Sequence, residues 1–200
     1  MFALVENGSI TKFFKGNKGI TINDNQYPQS IFNLWTDAER LAIGIYPVRI
    51  DGSNKKDENY YINTNIDYAI QDNEVVGSYG TATAKLLEDR NEVDDNGDPL
   101  LDSDGNQIVT KGLKTIKKEM IDQQCAGLLA PSDWRVIKAK ETATTMDSGW
   151  KTWRASVRTK CNSMQDQIDG ATNVDELKAL FEYTETDGVI SRPLGEFPVK

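Results

Sequence analysis

The clearest hydrophobic pattern of the chain lies in its last third. Apolar side chains recur there every three or four residues, which is the period of one helix face. These positions are Trp150, Trp153, Val157, Cys161, Met164 and Ile168. Basic side chains mark the opposite face, at Lys151, Arg154, Arg158 and Lys160. The spacing predicts a helix that buries its apolar side in a core, to which we also assign Trp134, and either Asp147 or Ser148 is its expected N-cap.

Two further helices are predicted beside this one. An apolar stripe begins after Lys111 and ends before Pro131, which cannot continue a helix. Its positions are Leu113, Ile116, Met120, Gln124 or Cys125, and Leu128. A loop is expected to carry Trp134. A short helix capped by Asn173 is expected after the long one, with Leu177, Leu180 and Phe181 as its buried face. Residues 184–200 are predicted to be extended.

The first half of the chain has the pattern of strands and turns. Residues 2–5 and 10–14 flank Asn7-Gly8, a dipeptide that tolerates the positive φ of a tight hairpin turn. Residues 19–22 form a further candidate strand, and Thr36 with Glu39 fits a capping box for a short helix. Residues 44–50 are expected to form an edge strand, because Pro47 cannot donate to a ladder.

Further strands precede a segment of turns. The β-rich runs 60–70 and 75–86 predict a second hairpin, and residues 95–101 and 102–109 form two similar units of a turn and a strand. We expect an α+β fold, with short antiparallel β-hairpins in the N-terminal half and a small helical region in the C-terminal half. Its predicted parts are a β-rich module at 1–55, a second β-rich module with acidic hairpins at 56–110, and a helical region with an extended tail at 111–200.

Composition narrows the class of protein. The chain has 200 residues, a mean hydropathy of −0.55 and no histidine. No apolar run approaches the roughly 20 residues of a membrane span, and we expect neither a signal peptide nor a membrane partner. Its net charge of −8 is concentrated at residues 86–110, where eight acidic side chains accompany one arginine. The acidic balance argues against a nucleic-acid partner.

The sequence contains few residue patterns that indicate catalysis or cofactor binding. Without histidine the chain lacks the commonest general base and the Ser-His and Cys-His pairs, and it has no glycine-rich phosphate loop. Asp133 beside Trp134 is interpreted as a helix cap rather than a catalytic acid. Cys125 and Cys161 are interpreted as buried free thiols. We therefore predict no catalytic residue and no cofactor.

The acidic segment, residues 88–104, fits a calcium-binding loop only in part. An EF-hand needs oxygen ligands at positions one, three and five, glycine at six and glutamate at twelve. Asp94, Asn96 and Asp98 fit the first three, but the sixth position is Pro99 and the twelfth is Gly105. We predict solvated acidic turns and no metal site, and sequence alone leaves open whether residues 88–104 bind a cation.

Six motifs occur in an order that resembles one group of proteins, the tail-associated proteins of tailed bacteriophages, which include the tail-fibre assembly proteins. The resemblance covers most of the chain, although its acidic middle is longer than is usual there. The motifs are Phe-Ala-Leu-x-Glu-Asn-Gly at 2–8, Gly-x-Tyr-Pro-Val at 44–48, Leu-Leu-x-x-Ser-Asp-Trp at 128–134, Trp-x-x-Trp-Arg-x-x-x-Arg at 150–158, Val-Asp-Glu-Leu at 174–177 and Phe-Pro at 197–198.

The resemblance implies a non-enzymatic role in the phage tail. It favours a structural component of the tail, baseplate or fibre-attachment assembly, located in the virion after assembly in the host cytoplasm. The implied partners are other tail, baseplate or fibre proteins, in an oligomeric assembly. A tail-fibre assembly chaperone that leaves the particle is the first alternative. A small glycan-binding module, which needs exposed tryptophans, is the second.

Overall fold

The computed structural model describes residues 1–200 and has an α+β fold. Antiparallel hairpins predominate in the N-terminal half and helices in the C-terminal half. The chain forms two compact units, Met1–Thr83 and Ala84–Lys200. The sequence predicts three modules, with boundaries near residues 55 and 110. The two compact units have one boundary, after Thr83, which lies between these positions.

A five-stranded mixed sheet organises the first unit. Its strands stand in the order β2-β1-β5-β8-β7. The first hairpin is confirmed, with the positive φ of Asn7 and Gly8 at its turn. The second hairpin, β7 with β8, is confirmed as well. The strand bounds are β1 (Phe2–Glu6), β2 (Ser9–Phe14), β5 (Ile45–Asp51), β7 (Ile66–Gln71) and β8 (Glu74–Tyr79).

The edge-strand prediction for residues 44–50 is wrong, because β5 is the central strand. Its first part pairs antiparallel with β1, from Ile45 to Pro47, and its second part pairs parallel with β8, from Val48 onward. The Val48 N–H points to the β1 side, where it donates to the Met1 carbonyl. Alternation along a strand then directs the Pro47 nitrogen to the other side, where pairing with β8 has not yet begun. Proline is tolerated here because the strand changes partner at this residue.

Two short helices cover this sheet. They are α1 (Ile31–Leu34) and α2 (Asp37–Ala42), and the predicted capping box of Thr36 and Glu39 is present at the start of α2. Buried apolar side chains from the sheet and α1, together with Ile22, form one cluster. Its members are Leu4, Ile22, Ile31, Phe32 and Ile45. Two strand pairs complete the unit, β3 (Ile20–Ile22) with β4 (Asn25–Tyr27), and β6 (Tyr61–Ile62) with β9 (Thr83–Ala84).

Four helices form the second unit after a short strand pair, β10 (Arg90–Asn91) with β11 (Val109–Thr110). The helices are α3 (Leu113–Leu129), α4 (Asp133–Glu141), α5 (Ser148–Gly170) and α6 (Val174–Phe181). A 3₁₀ turn at Ala130–Ser132 joins α3 to α4. None of the helices is both long enough and apolar enough to cross a membrane.

The end of the chain differs from its predicted extended form. Residues after α6 form a hairpin of β12 (Thr184–Thr186) and β13 (Val189–Ser191), with Asp187 and Gly188 at its turn, both at positive φ. Asp-Gly is a strong hairpin signal that the sequence prediction missed. Leu194, beyond the hairpin, is fully buried and fixes the segment that follows.

Replacing Ile45 with alanine tests the central position of β5. Ile45 has no exposed surface, so Ile45→Ala is expected to lower the free energy of unfolding by about 3 kcal/mol, through lost burial and the cavity left behind. Ile50 lies on the same strand but is 44% exposed, and Ile50→Ala is the matched control, with an expected loss of about 1 kcal/mol or less. Urea titration measures both, and equal losses would contradict the assigned burial.

Candidate interaction surface

The helices α3 and α5 pack antiparallel. Lys114, near the start of α3, donates to the Asp169 carbonyl near the end of α5, at 2.9 Å. Asp122, in the middle of α3, accepts from Gln165 at 2.6 Å. Arg154, near the start of α5, donates to the Leu129 carbonyl at the end of α3, at 2.7 Å. The order of these contacts reverses from one helix to the other, so the start of each helix lies beside the end of the other.

The core between these helices contains most of the predicted stripe of α5. Val157, Met164 and Ile168 have no exposed surface, and Cys161 is 5% exposed. The predicted stripe of α3 is wrong at Ile116 and Leu128, which are 47% and 38% exposed. The buried side chains of α3 are Leu113, Lys114, Ile121 and Cys125.

The register of α3 is therefore set by its tertiary contacts, not by its own periodicity. Lys114 has a buried position because its ammonium reaches both the Glu88 carboxylate and the Asp169 carbonyl, and its apolar stem covers the core. No feature of α3 alone signals this pairing, since Glu88 and Asp169 lie far away in sequence.

The two cysteines lie in this core as free thiols, as predicted. Burial raises the pKa of the Cys161 thiol to about 12, with smaller contributions from Cys125 and from the Asp122 carboxylate. A thiol with so high a pKa is not ionised at neutral pH and is a poor nucleophile. The pair contributes packing and no evident chemistry.

Arg154 is a buried residue, although the helical pattern placed it on the polar face of α5. It is 5% exposed, and its guanidinium donates to the Leu129 carbonyl, to Ser132 Oγ and, at 2.6 Å, to Asp133 Oδ1. The acceptors come from the end of α3, the 3₁₀ turn and the first residue of α4. One side chain thus fixes the path of the chain from α3 into α4.

The predicted roles of Asp133 and Trp134 change with this finding. Asp133 does not cap α4 with its side chain; its carboxylate pairs with Arg154 instead. The loop predicted around Trp134 is helix α4, and the core prediction is wrong for Trp134, which is 51% exposed. Because the Arg154 contacts hold Ser132 and Asp133 against α5, the next residue, Trp134, lies outside the core.

Trp150 and Trp153 are partly buried at the start of α5, where Asp147 is the N-cap. Their rings meet edge to face at 5.6 Å, a favourable aromatic geometry. The indole nitrogen of Trp153 donates to the Pro198 carbonyl at 3.0 Å. These contacts attach the Phe-Pro segment at the end of the chain to the first turn of α5.

Five cations surround this corner of the unit, and we call them the basic elbow. The Arg135 guanidinium lies 4.6 Å from the ring centres of both Trp134 and Trp150. None of the five forms a salt bridge, whereas seven other basic side chains of the second unit do. The basic elbow comprises Arg135, Lys138, Lys140, Lys151 and Arg158.

A cleft of about 370 Å³ opens within the basic elbow. Three cations and no acid line it, together with the apolar side chains of Val136 and Met146. Val136 and Ile137 on α4 are 45% and 57% exposed. The lining cations are Lys151, Arg154 and Arg158. The arrangement suits a ligand that combines negative charge with apolar groups.

The acidic segment forms two loops of the same design, which we call the acidic loops (residues 94–98 and 102–106). In each, the first aspartate side chain accepts two backbone N–H groups: Asp94 from Asn96 and Asp98, and Asp102 from Asp104 and Asn106. These bonds lower the pKa of both carboxyls, that from Asp98 being largest for Asp94 and that from Asn106 for Asp102. The carboxylates of Asp94 and Asp102 thus stabilise the conformation of their own loops.

A ring of backbone hydrogen bonds supports the acidic loops. Glu92 donates to the Ile108 carbonyl, Ile108 to that of Leu100, and Leu100 to that of Glu92, at 2.8 to 2.9 Å. The side-chain amide of Gln107 donates to all three carbonyls. The chain has no group of three or more acidic, histidine or cysteine side chains placed to hold a metal ion.

The carboxylates of Asp95, Asp98 and Asp104 make no hydrogen bond, so they are available to a partner. Apolar side chains beside them are exposed by 41% to 56%. They are Val93, Leu100, Leu101, Ile108 and Val109. This segment, like the elbow, combines charge with apolar surface.

Comparison with known proteins adds no relative to this description: the chain matches no protein-family model, no curated protein and no solved structure.

Replacing Arg154 with methionine tests its role in this corner. Arg154→Met keeps much of the packing volume but removes the guanidinium that donates to the Leu129 carbonyl, to Ser132 Oγ and to the Asp133 carboxylate. The Leu129 carbonyl keeps only its bond from Ser132 Oγ, and we expect a loss of about 3 kcal/mol in the free energy of unfolding. Arg158→Met on the exposed side of the same helix is the control, with an expected change of about 0.5 kcal/mol or less. Urea unfolding followed by far-UV circular dichroism measures both, and a loss shared equally by the two variants would contradict the assignment.

Proposed function

We propose that the protein is a non-enzymatic structural component of a bacteriophage tail, acting in the tail, baseplate or fibre-attachment assembly. The observation that carries this proposal is the ordered set of motifs that resembles tail-associated proteins. Five of the six motifs contact another motif in the folded chain, which supports treating these five as parts of one pattern.

Three contacts join the motifs. Residues 2–8 and 44–48 pair as neighbouring strands of the first sheet. Residues 128–134 and 150–158 are joined through Arg154. The Phe-Pro motif at 197–198 is attached to the start of α5 by the bond from Trp153. These five motifs therefore have packing roles within their units.

Exposed apolar surface supports a role in permanent contacts. Tyr183, Val189 and Ile190, on and beside the final hairpin, are 56% to 68% exposed. Together with α4 and the acidic loops they give the second unit several apolar surfaces of the kind that proteins bury against partners. The hairpin strands also have free edges, which are suited to pairing with a strand of a neighbour.

A tail-fibre assembly chaperone is the first alternative, and it would use the same surfaces without remaining in the particle. The two roles differ in the fate of the protein and not in its chemistry. Both place it in the host cytoplasm during assembly, and only the structural role leaves it in the virion tail, beside other tail, baseplate or fibre proteins.

A glycan-binding module is the second alternative, and one observation favours it: Trp134 is exposed and could stack on a sugar ring. However, the cationic groups of Arg135 and Lys138 already lie over the Trp134 ring, at 4.6 and 5.9 Å from its centre. The partly buried Trp150 has Arg135 and Lys200 over its ring in the same way. These contacts compete with sugar stacking, so we favour the structural role.

Quantitative mass spectrometry of purified phage particles tests the structural role. We expect the chain in intact virions at a fixed ratio to a major tail protein, unchanged by a second density-gradient purification. The matched control is the particle-free fraction of the same lysate. Recovery of the chain only in that fraction would overturn the structural role and favour the departing chaperone.

A further inference from the structure

Opposite charges are concentrated at opposite ends of the second unit. The acidic segment is attached at the start of α3, where Leu113 donates to the Leu86 carbonyl at 2.8 Å and Gly112 donates to the Asp89 carboxylate at 2.7 Å. The basic elbow surrounds the other end of the same helix. The 17 residues of α3 separate the two attachment points by about 25 Å.

The acidic loops and the basic elbow do not neutralise each other within one chain. No salt bridge joins them, although seven salt bridges form elsewhere in this unit. Three loop carboxylates and all five elbow cations thus stay without an ionic partner, in a chain whose other charges often pair. Both surfaces also expose apolar side chains. Leu100 and Leu101 lie between the acidic loops, and Val136 and Ile137 lie beside the basic elbow on α4.

We propose that the basic elbow binds the acidic loops of a second copy of this chain, so that copies associate head to tail. The carboxylates of Asp95, Asp98 and Asp104 would approach Lys151 and Arg158 at the elbow cleft. Leu100 and Leu101 would cover the apolar side chains of α4. The two surfaces carry complementary charge, neither is paired within its own chain, and both are partly apolar.

A contact of this kind can be repeated from one copy to the next. The two surfaces differ, so the contact is heterologous, and each bound copy leaves one elbow and one set of loops free. Repetition of a heterologous contact closes into a ring or continues as a filament. The inference names a partner for the proposed structural role, but it stands on its own test with purified protein, so its failure would leave the tail assignment unaffected.

Sedimentation velocity of the purified full-length chain is the first measurement. We expect concentration-dependent association that weakens as salt rises from about 0.1 M to 1 M, because the screening length falls from about 10 Å to about 3 Å. Association that is absent, or that is unchanged by salt, would overturn the proposal.

Neutralising each surface separately is the second measurement. Lys151→Gln with Arg158→Gln alters the elbow, and Asp95→Asn with Asp98→Asn and Asp104→Asn alters the loops without touching the structural residues Asp94 and Asp102. Each variant alone is expected to associate at least about tenfold more weakly. Lys18→Gln, an exposed charge in the first unit, is the control and is expected to associate like the unaltered chain.

Mixing the two variants gives the decisive result. The loop variant retains an intact elbow and the elbow variant retains intact loops, so the mixture has one functional contact and is expected to form a heterodimer that cannot extend. This outcome also shows that each variant is folded at its unaltered end. A mixture that stays monomeric while the unaltered chain associates would overturn the head-to-tail contact.

A polyanion is the competing ligand for the basic elbow. Fluorescence anisotropy with a labelled DNA oligonucleotide, at the same salt, distinguishes it. Binding of the oligonucleotide that is lost in the elbow variant, with no self-association of the unaltered chain, would overturn our proposal and favour a nucleic-acid partner.

Discussion

The second unit depends on the burial of one positive charge. A guanidinium removed from water costs several kcal/mol unless its donors are satisfied. Arg154 meets this requirement with a backbone carbonyl, a hydroxyl and a carboxylate, all from the segment between α3 and α4. All three acceptors reach the Arg154 guanidinium only when the chain follows one path from α3 into α4. That path sets the position of α4 and leaves Trp134 exposed.

The first unit depends on a comparable constraint in β5. This strand carries β1 on one side for its first residues and β8 on the other side for its last, with Pro47 at the change. The segments 44–48, 128–134 and 150–158 thus contain the residues that fix the path of the chain in each unit. The surfaces available to partners are the acidic loops, the basic elbow and the final hairpin.

Structural features that depend on neighbouring residues were predicted well from the sequence, whereas features that depend on distant residues were not. The Asn7-Gly8 turn and the Thr36 capping box each depend on residues a few positions apart, and both occur in the structure. The cap of α5, predicted at Asp147 or Ser148, is Asp147. The α+β class follows from the same kind of evidence. Periodicity likewise identified the α5 core from Val157 to Ile168, because that helix has a long, regular apolar stripe.

The errors arise where a distant residue determines the outcome. Lys114 is buried because of Glu88 and Asp169, Arg154 is buried because of Ser132 and Asp133, and Pro47 is central because β8 begins to pair only after it. For the candidate surface, composition revealed the acidic loops, since their charge is contiguous. Periodicity placed Lys151 and Arg158 on the polar face of α5, but the other cations of the basic elbow lie on α4, where the sequence predicted a loop. The basic elbow as a whole was therefore missed.

Hydrogen exchange of the Arg154→Met variant tests most directly whether this one side chain holds the corner of the second unit. Mass spectrometry of peptides resolves α4 from α6 within the same sample. The account predicts that amides of α4 exchange at least about tenfold faster than in the unaltered chain, since their attachment to α5 is lost, while those of α6 change little. Exchange in α4 that matches the unaltered chain would contradict the account.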